Sequence, residues 1–143
     1  MNRPQRALLS LVAAALLSAG CRADLSGLQT LDVAELAAWQ ASRSDFALCD
    51  ANAADTRERM GVIPGAILLT NYRDYDASAE LPAEADHTLV FYCHSERCGA
   101  AADAARKAIA AGHRDVWVMA PGIKGWADAG HPVERPPATE EAS

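Results

Sequence analysis

Apolar residues in this chain follow two rhythms: short unbroken runs, and longer stretches with an apolar residue every third or fourth position. Runs of three to five apolar residues bounded by turn formers suit strands buried on both faces. The strongest is Thr88-Leu89-Val90-Phe91-Tyr92, and residues 46–49 (ending in Asp50), 67–69 and 116–119 repeat the pattern. The second rhythm predicts helices over 32–41, 53–60, 100–111 and 121–129. Asp32-Val33-Ala34-Glu35 has the form of a capping box, with Asp32 as N-cap and Glu35 reaching back. Gly112 stands where a left-handed cap ends the third helix, and Gly130 and Pro132 terminate the last. Pro64-Gly65 marks a turn over 63–66, residues 71–87 read as a polar surface excursion with one helical turn, and 22–29 read as a tether.

Strands alternating with helices at this spacing imply a parallel sheet covered on both faces. With 143 residues, half of them apolar, the chain has material for one domain. The first twenty residues stand apart from it. Arg3 and Arg6 form a basic start, and residues 7–19 form an apolar run too short to span a bilayer comfortably. The segment closes on Leu17-Ser18-Ala19-Gly20-Cys21, which resembles the lipobox of bacterial lipoproteins. The expectation is a signal peptide over 1–20, a lipid on Cys21, a tether over 21–29, a domain over 30–134 and a disordered tail over 135–143. The alternative at the N-terminus is ordinary signal cleavage, giving a soluble periplasmic or secreted protein.

Charge narrows the partners. Removing Arg3 and Arg6 leaves 11 basic residues against 19 acids, a net charge of −8. An acidic body argues against nucleic-acid binding and against a polybasic membrane patch, leaving a lipid on Cys21 as the membrane attachment. Cys49, Cys93 and Cys98 then remain, an odd number for an oxidising compartment, so at least one thiol is unpaired or used in chemistry.

Cys93 follows the strongest strand, and a short loop separates it from the alanine-rich helix. In open α/β sheets ligands collect at the carboxyl ends of strands. Unpaired N–H groups at a helix start favour an anion and lower the pKa of a nearby thiol. Strand, cysteine, loop and helix together predict a nucleophilic sulfur in an anion cradle, held ionised at neutral pH by a ring of amide hydrogens.

Four pieces in order resemble one family. Leu48-Cys49-Asp50 followed by Gly61-Val62-Ile63-Pro64-Gly65-Ala66 is similar to the first signature of rhodanese-like domains. Val90-Phe91-Tyr92-Cys93 resembles the strand entering their active-site loop. Ala111-Gly112-His113 with residues 116–119, then the run from Gly122 through Trp126 to Val133, resembles their closing signature. The resemblance covers residues 28–134 and implies a single α/β domain with a parallel five-stranded sheet and helices on both faces. It also implies a sulfurtransferase or persulfide carrier needing no cofactor and no metal. Cys93 would take a sulfane sulfur from thiosulfate or a persulfide donor and pass it to a thiol or other nucleophile. His94, Ser95, Glu96, Arg97, Cys98 and Gly99 would form the substrate-binding loop, with Asp50 supporting it. The loop from Cys93 to Cys98 has the shorter of the family's two lengths, which suits sulfur rather than phosphate or arsenate.

Several positions depart from the pattern. Cys98 stands where arginine is common, Asn52 where an arginine follows the signature aspartate, and Val62 where histidine is usual. Glu96 brings negative charge to a site for anions. Cys98 is placed to act as a resolving thiol for Cys93, or simply packs as a small buried residue. The alternatives to sulfur transfer are a non-catalytic binding or redox-sensing module and a thiol-disulfide enzyme using Cys93 and Cys98. Cys49 reads as core, and Cys93, His94 and Cys98 match no common zinc spacing. Trp39, Trp117 and Trp126 read as packing residues.

Overall fold

The structure, a computed structural model, describes residues 20–136. The signal-peptide reading of 1–19 and the tail beyond 136 lie outside these residues. The chain runs β1 (Gln29–Leu31), α1 (Val33–Ser42), β2 (Phe46–Asp50), α2 (Ala54–Met60), β3 (Ile67–Leu68), α3 (Ala77–Glu80), β4 (Thr88–Tyr92), α4 (Ala100–Ala110), β5 (Val116–Met119) and α5 (Gly122–Asp128). The five strands form one sheet in the order β1-β5-β4-β2-β3, every pair parallel.

Alternation along β4 shows how the sheet divides the core. Leu89 and Phe91 face a cluster holding Ala101, Ala104, Ala105 and Ala108 of α4. Val90 and Tyr92 face a second cluster holding Leu36 of α1 and Ile123 and Trp126 of α5. Successive side chains of a strand point to opposite faces, so the two clusters are the two sides of the sheet. Helices therefore cover both faces. The alanines of α4 recur at helical spacing and let the helix axis lie close to the sheet. Each large side chain buried against it contributes about 1.5–3 kcal/mol.

Caps behave as the sequence implies. Asp32 accepts from the Glu35 N–H at 2.8 Å and the Glu35 carboxylate accepts from the Asp32 N–H at 2.7 Å. Gly112 takes the left-handed conformation, φ 106°, just past α4. Two segments differ from expectation. The tether reading of 21–29 fails at its end, where Gln29 opens β1 by pairing with Trp117, and Leu25 and Leu28 pack on the core. The 71–87 stretch does carry one helical turn, but it is no mere surface excursion. Tyr75 is 1% exposed and its hydroxyl donates to the Ala104 carbonyl at 2.7 Å. At the other end Val62 and Glu134 exchange backbone hydrogen bonds, each 2.8 Å, which returns the C-terminal stretch to the domain. Among the described residues no helix is long and apolar enough to cross a membrane.

Candidate active site

β4 lies between β5 and β2, so Cys93 stands at the carboxyl end of the central strand. The loop after it is held from behind by α5. The Cys93 carbonyl accepts from the Ile123 N–H at 2.8 Å, and the His94 carbonyl from the Lys124 N–H at 3.0 Å. In a planar trans peptide the carbonyl and the next N–H point opposite ways. Turning those carbonyls toward α5 therefore turns the N–H groups of His94 and Ser95 inward. Gly122 makes this contact feasible. Its φ is +65°, and a Cβ there would lie 2.6 Å from the Cys93 oxygen and from the His94 carbonyl carbon and oxygen. The loop closes on itself through the Cys98 N–H, which donates to the Ser95 carbonyl at 3.0 Å.

Inside this loop lie two sulfurs. Cys93 is 3% exposed and its thiol donates to the Cys98 carbonyl at 3.1 Å. The N–H groups of Ala101 and His94 favour its thiolate, but the hydrogen bond with the Cys98 thiol and burial outweigh them and push Cys93 up. Cys98, half-buried, is held down to about 5, first by the hydrogen bond from Cys93 and then, against burial, by the N–H groups of His94 and Ala100. N–H groups thus face both sulfurs, and the two thiols titrate as a coupled pair, with their mutual hydrogen bond and burial raising Cys93, and that bond and the loop N–H groups lowering Cys98. A free thiol titrates near 8.5, and a lowered pKa keeps the anion at lower pH. Alkylation of Cys98 is therefore expected to be flat from about pH 6 to 8 and to fall only near pH 5. In denaturant the rate should instead rise about tenfold per pH unit below the free-thiol value.

Asp50 is held by Asn52, Tyr92 and Arg57 and makes no hydrogen bond to residues 94–99. Fully buried at the end of β2, it accepts from the Asn52 N–H at 2.7 Å and from the Tyr92 hydroxyl at 2.6 Å. The same hydroxyl accepts from the Ile63 N–H at 3.0 Å, so the turn at 63–66 is tied to the strand that presents Cys93. Burial raises the Asp50 pKa, while Tyr92, Asn52 and Arg57 pull it back. The sequence reading missed Arg57. Its Nε lies 3.4 Å from Asp50, and its Nη2 donates to the carbonyls of Asp50 and Leu69 at 2.9 and 2.8 Å. A guanidinium thus reaches the aspartate from α2, while Asn52 supplies a backbone N–H instead. Asp50→Asn keeps the shape but removes the charge facing buried Arg57. It is expected to cost about 1–3 kcal/mol, read as a lower urea midpoint.

A cleft of about 610 Å³ opens beside the loop, lined by His94, Ser95, Arg97 and Glu96 on one side and by Pro121, Lys124 and Asp128 on the other. Neither sulfur lines it, so it is the approach to the cradle rather than the cradle itself. The segment before β1 forms its rim. The Ala23 N–H donates to the Glu96 carbonyl at 2.8 Å, Arg22 pairs with the Glu96 carboxylate at 3.2 Å, and Arg106 donates to the Asp24 carbonyl at 3.0 Å. Arg22 thus offsets the charge of Glu96, Lys124 is paired with Asp128 at 2.5 Å, and Arg97 adds a cation to the same cleft. Leu25 and Leu28, three apart, were the sequence signal for this strap.

Cys49 and the tryptophans fall where expected. Cys49 is fully buried in β2 with its thiol pushed up to about 12 by burial, which makes it core. Trp126 is buried, and Trp39 meets Trp117 edge-on at 5.4 Å. Among the described residues no group of three or more His, Cys, Asp or Glu could hold a metal ion.

Comparison with known proteins agrees with this layout. The family model for the rhodanese-like domain matches residues 32–129. A Rhodopseudomonas palustris protein of unknown function, described as a possible tyrosine phosphatase, is 30% identical with a TM-score of 0.59, over 76% of this chain and 86% of that one. The rhodanese-like domain of an Anabaena protein is 22% identical with a TM-score of 0.63, over 80% and 88%. A thiosulfate sulfurtransferase from Pseudomonas aeruginosa is 22% identical with a TM-score of 0.61, and the match covers 76% of this chain but 20% of that enzyme. No curated protein matches the chain significantly. Strand order, cysteine position and family match agree: the chain belongs to the rhodanese-like domain family.

Proposed function

We propose that this protein is a sulfurtransferase or persulfide carrier of the bacterial cell envelope, with Cys93 as the sulfur-bearing residue. The observation that carries the reading is the placement of Cys93 at the end of β4, with the N–H groups of His94 and Ala101 directed at its sulfur. With thiosulfate, Cys93 attacks the sulfane sulfur, the S–S bond of thiosulfate breaks and sulfite leaves, giving a Cys93 persulfide. Cys93 attacks as its thiolate, its proton having passed to solvent. The persulfide's terminal sulfur, an anion, is stabilised by the inward N–H groups, and Arg97 in the cleft draws an anionic donor toward it.

The Pseudomonas aeruginosa thiosulfate sulfurtransferase supports the reaction class, whereas the Rhodopseudomonas palustris relative suggests phosphate chemistry. Loop length favours sulfur, since the loop from Cys93 to Cys98 has the shorter of the family's two lengths. The steady-state test is sulfur transfer from thiosulfate or an organic persulfide to cyanide or a thiol. Transfer above background with either donor supports the reading, and no transfer with any donor favours a non-catalytic binding module.

Attachment through a lipid on Cys21, with Cys21 as the first mature residue, completes the proposal. Arg22, the next residue, lines the cleft beside the loop, so a lipid at Cys21 would hold the cleft next to the membrane surface. Metabolic labelling with a fatty-acid analogue tests it: label lost in Cys21→Ser supports the anchor, and an unlabelled wild type in the membrane-free fraction overturns it.

A further inference from the structure

The cradle contains a second nucleophile that simple sulfur transfer does not need. The Cys93 thiol donates to the Cys98 carbonyl at 3.1 Å, and Cys98 packs against the same buried cluster that includes Cys93. The turn made by the Cys98 N–H on the Ser95 carbonyl folds the loop back, so both side chains occupy one small volume. We propose that Cys98 resolves the sulfur carried by Cys93, so that the protein releases sulfide and is left with a Cys93–Cys98 disulfide. This deepens the sulfurtransferase reading and rests on Cys93 as the acceptor.

The step balances without an outside oxidant. The Cys98 sulfur attacks the Cys93 sulfur, a Cys93–Cys98 bond forms, and the bond to the terminal sulfur breaks. The terminal sulfur leaves as hydrosulfide, with a proton from the Cys98 thiol or from solvent. The sulfane sulfur gains two electrons, and the two cysteines supply them by becoming a disulfide. The next cycle needs a dithiol reductant, whose two thiols are oxidised as the loop pair is restored. The partner class is therefore a sulfane-sulfur donor on one side and a dithiol on the other.

Two features fit this step. The N–H groups of Ala100 and His94 face the Cys98 sulfur and hold it as a ready nucleophile, whereas the thiol of Cys49, the other cysteine of the same cluster, is kept neutral by burial. A disulfide needs Cα atoms within about 7 Å, and the Cys93 sulfur already lies 3.1 Å from the Cys98 carbonyl oxygen.

The test uses the reduced full chain, freed of reductant and kept anaerobic, treated with thiosulfate or, separately, with cysteine persulfide. Wild type is expected to release about one sulfide per chain and to show a Cys93–Cys98 disulfide by peptide mass. Cys98→Ser and Cys98→Ala are expected to hold one extra sulfur on Cys93 and release none until a thiol is added. If the Cys98 variants load but wild type also keeps its persulfide, or if the disulfide joins Cys93 to Cys49, the resolving role is overturned while sulfur transfer stands. If neither wild type nor the variants take up sulfur, or if Cys93→Ser loads sulfur on Cys98, the reading of Cys93 fails, and this inference with it.

Discussion

Cys93→Ser is expected to reduce sulfur transfer to background, a loss of roughly 10³-fold or more, because the substitution removes the bond-forming atom itself. A serine hydroxyl is a far weaker nucleophile toward sulfur, and the N–H groups of His94 and Ala101 cannot ionise it at neutral pH. Folding should barely change. The serine hydroxyl can still donate to the Cys98 carbonyl that now accepts from the thiol at 3.1 Å, so the expected stability change is within about 1 kcal/mol. An unchanged circular dichroism spectrum and melting midpoint, with lost transfer, would place the effect in the chemistry. Appreciable transfer in Cys93→Ser would move the chemistry to Cys98.

The second large effect lies outside the loop. Gly122→Ala puts a methyl group 2.6 Å from backbone atoms of Cys93 and His94 at a residue with φ of +65°. Backbone atoms cannot rotate aside as a flexible side chain can, so either the loop or α5 must move. Strain of about 1–3 kcal/mol for the conformation adds to about 1–3 kcal/mol for the contact. Movement of the loop breaks the hydrogen bonds from Ile123 and Lys124 and turns the His94 and Ser95 N–H groups away from the sulfur. A displacement of about 1 Å is expected to lower transfer roughly 100-fold. The variant should fold, with a lower urea midpoint and a lost plateau in the pH dependence of alkylation. A Gly122→Ala protein with full activity would show that α5 does not position the loop.

The sheet was legible because parallel strands buried on both faces announce themselves as unbroken apolar runs. Thr88–Tyr92 and Val116–Met119 appear as read, and the Asp32 capping box fixed the start of α1. β1 was not legible. Gln29-Thr30-Leu31 is three residues long with two of them exposed, so it has no apolar run to mark it, and its strand character comes from pairing with β5. Tyr75 misled for a related reason, since a polar neighbourhood hides a single side chain whose partner, the Ala104 carbonyl, is far along the chain.

The site divides in the same way. The reactive cysteine and its loop follow from strand, loop and helix in sequence order, and Asp50 from the signature it ends. Arg57 could not be read as its partner, because seven residues and a helix separate them and only the fold brings the guanidinium back. The ionisation of the cysteine pair was equally hidden. Which of two coupled thiols keeps the proton depends on burial and on which N–H groups each sulfur meets, and neither is written in the spacing. The strap over Glu96 joins residues more than seventy positions apart.

Site-resolved mass spectrometry of anaerobic Cys98→Ser after exposure to thiosulfate or an organic persulfide tests the central claim most directly. The account predicts a single additional sulfur, confined to the peptide carrying Cys93 and removed by cyanide or a thiol. A Cys93 that stays unmodified under both donors, in a chain that remains folded, would contradict it.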